Sequence, residues 1–108
     1  MGFAISGVLS ALRSENSFRV HVLAACGVFG VLLWRRPSRL WWAVIALTVV
    51  AVLAAELMNT AVERLIDHLH PERHPEIKIV KDCAAGAVLV VSVGALCVAL
   101  AFILDQWF

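Results

Sequence analysis

Charge is scarce in this sequence. Of its 108 residues only 16% are Asp, Glu, Lys or Arg, while 62% are apolar; soluble domains sit near ~25% and ~45–50%. A chain this short buries a low fraction of its surface on folding, so it cannot hide that much apolar area from water. Lipid is the solvent that suits it. The net charge of +1 gives no broad basic field, so nucleic acid is not an expected partner. Cysteine is sparse too. Cys26, Cys83 and Cys97 are odd in number and lack CxxC spacing, so we read them as small apolar side chains and not as a disulfide or zinc framework. Neither G-x-x-x-x-G-K-[ST] nor G-x-G-x-x-G occurs, so any handling of nucleotide phosphates proceeds without a P-loop. No basic stretch precedes the first apolar residues after Met1, and a cleaved signal peptide is therefore not expected. Internal repeats and low-complexity tracts are also missing.

Three apolar runs remain, at 18–34, 40–58 and 83–104. Each is long enough to cross a bilayer, which takes about 20 residues (roughly 17–25) as a helix. Arg19 and His21, at the start of the first run, are placed to snorkel to the interface. Ahead of that run Phe3, Gly7, Leu9 and Leu12 alternate with Ser6, Ser10 and Arg13. The pattern suggests that residues 1–15 form a short helix lying in the membrane surface, the alternative being a frayed terminus. Pro37 interrupts the first connection, Arg35 to Arg39. The second connection, Asn59 to Asp82, keeps helical spacing to about residue 69 before Pro71 and Pro75 break it. The expected fold is an all-α integral membrane domain covering 1–108: an interfacial helix and three transmembrane helices. Arg13, Arg19, Arg64, Arg73, Lys78 and Lys81 fall on one face, and Arg35, Arg36 and Arg39 on the other. The positive-inside rule makes the first face cytoplasmic.

Three spans bring the residues before the first, after the second and before the third to the same membrane face. Glu15, Asn16, Glu56, Asn59, Glu63, Asp67, Glu72, His74, Lys81 and Asp82 gather there. Glu56, Asn59, Glu63 and Asp67 step by three, four and four, which makes them one stripe of a helix. Like charges at that spacing repel one another, and a bound cation would offset the repulsion. Glu56 falls about a turn inside the boundary at which Asn59 emerges. A carboxylate at that depth is costly and marks a candidate functional site, and it lies where a lipid headgroup hydroxyl would lie. A general base is the expected role. Without a P-loop, phosphate handling would rest on Lys81 and on Mg²⁺, which takes one or two carboxylates plus substrate phosphates; Glu15 and Glu63 could supply them. Blander readings stand beside these. Asp67 could belong to a solvated helix face, and Lys81-Asp82 could be an interfacial stop. His21, His68, His70 and His74 lack strong zinc spacing and read as non-ligands. A cation transporter subunit and a purely structural bundle are the readings from other classes. Against a conduction path, Ala43 to Ala55 and Cys83 to Leu104 hold almost no polar side chains beyond Thr48 and Ser92.

The segment Glu56-Leu57-Met58-Asn59-Thr60-Ala61-Val62-Glu63, followed by Asp67 and by Lys81-Asp82, resembles the signature of the small prokaryotic diacylglycerol kinases and the closely related undecaprenol kinases. Glu15-Asn16-Ser17-Phe18-Arg19 is similar to their Glu-x-x-Phe-Arg stretch. The resemblance covers nearly the whole chain. It implies a homotrimer with active sites shared between subunits, and transfer of the γ-phosphate of Mg-ATP to a lipid hydroxyl at the cytoplasmic face of the inner (plasma) membrane. Diacylglycerol is the expected acceptor and undecaprenol the alternative. By the same resemblance Glu56 matches the catalytic base, and Glu15 and Glu63 the metal carboxylates. Phe3, Glu15, Glu63, Glu72, Arg73, His74, Lys81 and Asp82 match nucleotide contacts, while Asn59 and Asp67 match residues that shape the site. Ser17, Phe18, Arg19, Trp34, Trp42, Glu56 and Ala85 match lipid contacts. The chain departs from the pattern at Ser6, where a lysine is common, and at Ala85, where some diacylglycerol kinases carry a serine.

Overall fold

The structure, a computed structural model, describes residues 1–108. It contains four α-helices and no strand: α1 Gly2–Ser14, α2 Asn16–Arg35, α3 Arg39–Leu69 and α4 Pro75–Trp107. The breaks between them have local causes. One extended residue, Glu15 (φ −111°, ψ 110°), separates α1 from α2. Arg36 ends α2 in the left-handed region (φ 49°, ψ 57°), and its N–H donates to the Leu32 carbonyl. Pro37 then prevents continuation.

Pro75 does something the sequence reading did not give it. It opens α4, so that helix begins at Pro75 and not at the apolar run from Cys83. A proline fits the first turn of a helix because its missing N–H would have no partner there. His74 caps the same turn, with its ring Nδ1 accepting from the Glu76 N–H at 3.1 Å. The polar residues 75–82 are thereby helical and continuous with the apolar part of α4.

Helices α2, α3 and α4 are long and apolar enough to cross a membrane. Helix α3 is central: it packs most extensively on α4 and next on α2, and α1 touches both α2 and α3. The core sits toward one end, where Leu32, Ile45 and Phe102 are buried among Phe29, Trp41, Trp42, Val49 and Val98. Two polar clamps close that end. Trp41 Nε1 donates to Asp105 Oδ2 at 2.7 Å, joining α3 to α4. The Arg35 guanidinium donates to the Gln106 carbonyl at 2.5 Å and lies 4.5 Å from the centre of the Trp107 ring, joining α2 to α4. At the opposite end, Arg64 meets Glu15 and Lys81 meets Asp67. The chain therefore runs up, down and up, and gathers the start of α2, the polar half of α3 and the start of α4 together. Leu47, Val90 and Leu96 point outward and are exposed, as are the three free cysteines. An apolar exterior of this extent suits lipid.

Candidate functional site

The acidic stripe of α3 passes from the interior to the surface. Glu56 is 7% exposed, and is the one buried polar or charged residue of the chain. Asn59 is half-buried, with its Oδ1 enclosed and without a hydrogen-bond partner. Glu63 and Asp67 are exposed. The repulsion expected along the stripe is met from other helices. His21 of α2 brings its Nδ1 to 3.2 Å from Glu56 Oε1. Lys81 of α4 lies 2.5 Å from Asp67 Oδ1. Glu15, between α1 and α2, accepts from Arg64 of α3 at 2.9 Å, and Arg64 also donates to the Ser14 hydroxyl. Glu63 alone among the stripe carboxylates has no ion pair.

Beside the end of the stripe lies a polar cavity of about 590 Å³ under the turn from α3 to α4. Glu72, Arg73, His74, Lys81 and Asp82 line it, together with His70 and Lys78. Arg73, Lys78 and Lys81 supply three cations around one space, which is the chemistry a polyphosphate needs. Lys78 precedes the apolar part of α4 and pairs with Asp82 at 2.6 Å. The hydrogen bond to Asp82, then the charge of that carboxylate, raise the Lys78 pKa above its ordinary value. Lys78 stays an ammonium throughout the neutral range.

A second cavity, of about 680 Å³, is apolar and runs between α2, α3 and α4. It extends from His21 to Trp107, and its non-apolar lining residues are His21, Thr48 and Ser92. No carboxylate lines it, so it offers no acidic path through the bundle.

Not every residue singled out in the sequence comes to the site. Phe3 is 96% exposed on α1 and does not line the polar cavity. Phe18 is packed inside the chain at 3% exposure. Ser17 and Arg19 are exposed at the start of α2, where Arg19 donates to Asn16 Oδ1. Trp34 and Trp42 belong to the far end of the bundle, beside Trp107 and Phe29 respectively. Ala85 is exposed on α4. Conversely, the structure adds His21, Arg64 and Lys78 to the residues singled out by type. His21, expected to snorkel to the interface, lies 3.2 Å from Glu56 Oε1. Depth was the available signal: the start of α2 and the exit of α3 share one membrane face, so a residue about a turn and a half into α2 falls level with Glu56.

No group of three or more His, Cys, Asp or Glu side chains converges in the chain. Glu15 is tied to α3 by Arg64, and Glu63 is exposed without an ion pair. Carboxylate oxygens are the type of donor that Mg²⁺ takes, with phosphates and water as its remaining ligands.

An all-helical chain with three helices able to cross a membrane, a buried carboxylate and a cation-lined cavity at one end defines a small membrane protein equipped for phosphate chemistry. The comparisons with known proteins give the class a name. The family described as prokaryotic diacylglycerol kinase matches residues 2–103. An undecaprenol kinase of Bacillus subtilis is 37% identical over 87 residues, covering 81% of this chain and 71% of that protein. A diacylglycerol kinase of Synechocystis sp. is 36% identical over 97 residues, covering 89% of this chain but 55% of that protein. A diacylglycerol kinase of Pseudomonas aeruginosa is 34% identical over 89 residues, covering 82% and 72%. The chain belongs to the prokaryotic diacylglycerol kinase family and is a lipid kinase.

Proposed function

We propose that this kinase transfers the γ-phosphate of Mg-ATP to the hydroxyl of diacylglycerol, giving phosphatidic acid, at the cytoplasmic face of the inner membrane. The observation that carries the reading is a buried carboxylate, Glu56, at the inner end of a stripe that leads to a cation-lined cavity. In this reading ATP lies in that cavity with its phosphates toward Arg73, Lys78 and Lys81, and with Glu72, His74 and Asp82 around it. Lys81 is paired with Asp67 across α3 and α4, and exchanges that partner for phosphate. Glu15 and Glu63 are the carboxylates that would hold Mg²⁺, which neutralises charge on the phosphates when bound. Glu56 takes the proton from the lipid hydroxyl. The hydroxyl oxygen forms a bond to the γ-phosphorus, the bond from that phosphorus to the bridging oxygen breaks, and ADP leaves with the electron pair. Asn59, between Glu56 and Glu63 on the stripe, has its enclosed Oδ1 free to receive a donor. Helix α1 lies along the membrane surface and lends the exposed Phe3, Val8 and Leu9 to it. Three copies assemble, with active sites shared between subunits.

A second reading keeps the site and changes the acceptor to undecaprenol. The Bacillus subtilis relative favours it. The test is to incubate the purified chain in mixed micelles with Mg-ATP and, in parallel, diacylglycerol or undecaprenol, and to measure phosphorylated lipid. Turnover of diacylglycerol in preference to undecaprenol is the expected result. The reverse preference would assign the second reading, and no product from either lipid in an intact oligomer would overturn both.

A further inference from the structure

Arg35, Arg36 and Arg39 stand within five residues at the turn from α2 to α3, at the end of the bundle opposite the acidic stripe. Nothing at that end neutralises them: none of the three belongs to an ion pair. Asp105, the acidic side chain there, accepts instead from Trp41 Nε1 and from the Gln106 amide. Arg35 is spent on the fold, through the Gln106 carbonyl and the Trp107 ring. Arg36 and Arg39 are exposed. Tryptophan marks their depth. All four tryptophans of the chain, Trp34, Trp41, Trp42 and Trp107, lie at this end, and such rings settle at the headgroup level of a bilayer. Trp34 and Leu40, on either side of the arginines in the chain, are exposed. Two unpaired guanidiniums therefore stand where a bilayer carries its phosphates.

We propose that Arg36 and Arg39 form a binding site for the headgroup phosphate of an anionic phospholipid in the leaflet opposite the active site. The choice of cation is informative. Both lysines of the chain, Lys78 and Lys81, lie at the other end, and this end carries arginine alone. A guanidinium is weakly hydrated and presents paired N–H donors that match phosphate oxygens. An ammonium is a hydrated point charge. Arg36 also occupies the left-handed region at φ 49°, where glycine or asparagine is less strained, so the position keeps a cation at some cost to the backbone. The headgroup's net charge decides which lipid is taken. A zwitterionic lipid brings its own ammonium beside the phosphate, and two guanidiniums repel it. A headgroup with no cation meets only attraction.

The tryptophans make the test specific to this end. The full chain is reconstituted into phosphatidylcholine vesicles, and its tryptophan fluorescence is quenched with lipid brominated on the acyl chains, either phosphatidylglycerol or phosphatidylcholine. We expect the brominated phosphatidylglycerol to be taken in preference by about fivefold or more at low ionic strength, since each arginine near the surface adds to the attraction. Arg36→Gln combined with Arg39→Gln should bring the preference to equality and leave kinase activity as in the parent. Arg13→Gln removes an exposed cation at the other end and should leave the preference in place. An unchanged preference in the double variant would overturn the proposal, as would an equal loss in Arg13→Gln, which would report net charge and not a site. If the double variant fails to reconstitute, each single substitution should lower the preference about twofold, and no change in either would be as damaging. Inorganic phosphate separates the two sources of the anion. At equal ionic strength it should leave the preference as chloride does; abolition by phosphate alone would assign the site to a free anion and overturn the lipid headgroup.

Discussion

At one end of the bundle Leu32, Ile45 and Phe102 fill the space between α2, α3 and α4, and aromatic rings and Arg35 close it. At the other end the same three helices meet through His21 and Glu56, Arg64 and Glu15, and Lys81 and Asp67. The first end is packed, and its contacts are fixed in place. Beyond the buried Glu56, the second is held by ion pairs that reach solvent: the side chains of Lys81 and Asp67 are 36% and 64% exposed. Exposed pairs contribute ~0–1 kcal/mol, so a phosphate can take the lysine at little cost in stability. The difference teaches a division of labour along the helix axis. Packing at one end sets where the helices stand, and in the proposed function exchangeable charge at the other end does the binding.

Substitutions at the two ends should therefore fail in different ways. Phe102→Ala ought to destabilise the protein in detergent by roughly 1–3 kcal/mol while leaving the KM for ATP unchanged. That is less than the ~3–5 kcal/mol of a water-soluble core, because lipid or detergent replaces water as the alternative solvent for the ring. Thermal unfolding followed by size exclusion would measure it, and a rise in the KM for ATP would break the division. Lys81→Met should do the converse. We expect the KM for ATP to rise about tenfold, equivalent to ~1.4 kcal/mol, with a melting temperature close to the parent's; a large loss of stability would mean that the polar end bears weight as well. The smallest effect belongs to Arg36→Gly. Relief of the left-handed backbone at φ 49° should stabilise the chain by about 1 kcal/mol or less, with kinase activity unchanged.

Much of the fold was legible because its signals are local. Apolar runs of spanning length identify membrane helices without knowledge of their neighbours. The steps of three, four and four from Glu56 through Asn59 and Glu63 to Asp67 define one helix face by arithmetic alone. Pro75 misled because a proline reads as a breaker unless its place in the first turn is recognised; His74 before it and Glu76 after it were the marks of a helix start. Phe3 and Phe18 illustrate a different limit, since the angle at which α1 leaves Glu15 decides what their rings touch, and no periodicity encodes that angle. His21 lies far from Glu56 in the chain, and a pair across two helices needs their relative rotation as well as their depth. Arg64 was hidden by its neighbour: Glu63 drew the chemical reading, while the cation beside it makes the contact to Glu15.

The central claim is that Glu56 is the base of a lipid kinase, and Glu56→Gln is its most direct test. Lipid phosphorylation by purified parent and variant, assayed side by side with saturating Mg-ATP, should fall by about 10²-fold or more in a variant that elutes and melts like the parent. Activity within a few-fold of the parent would contradict the account.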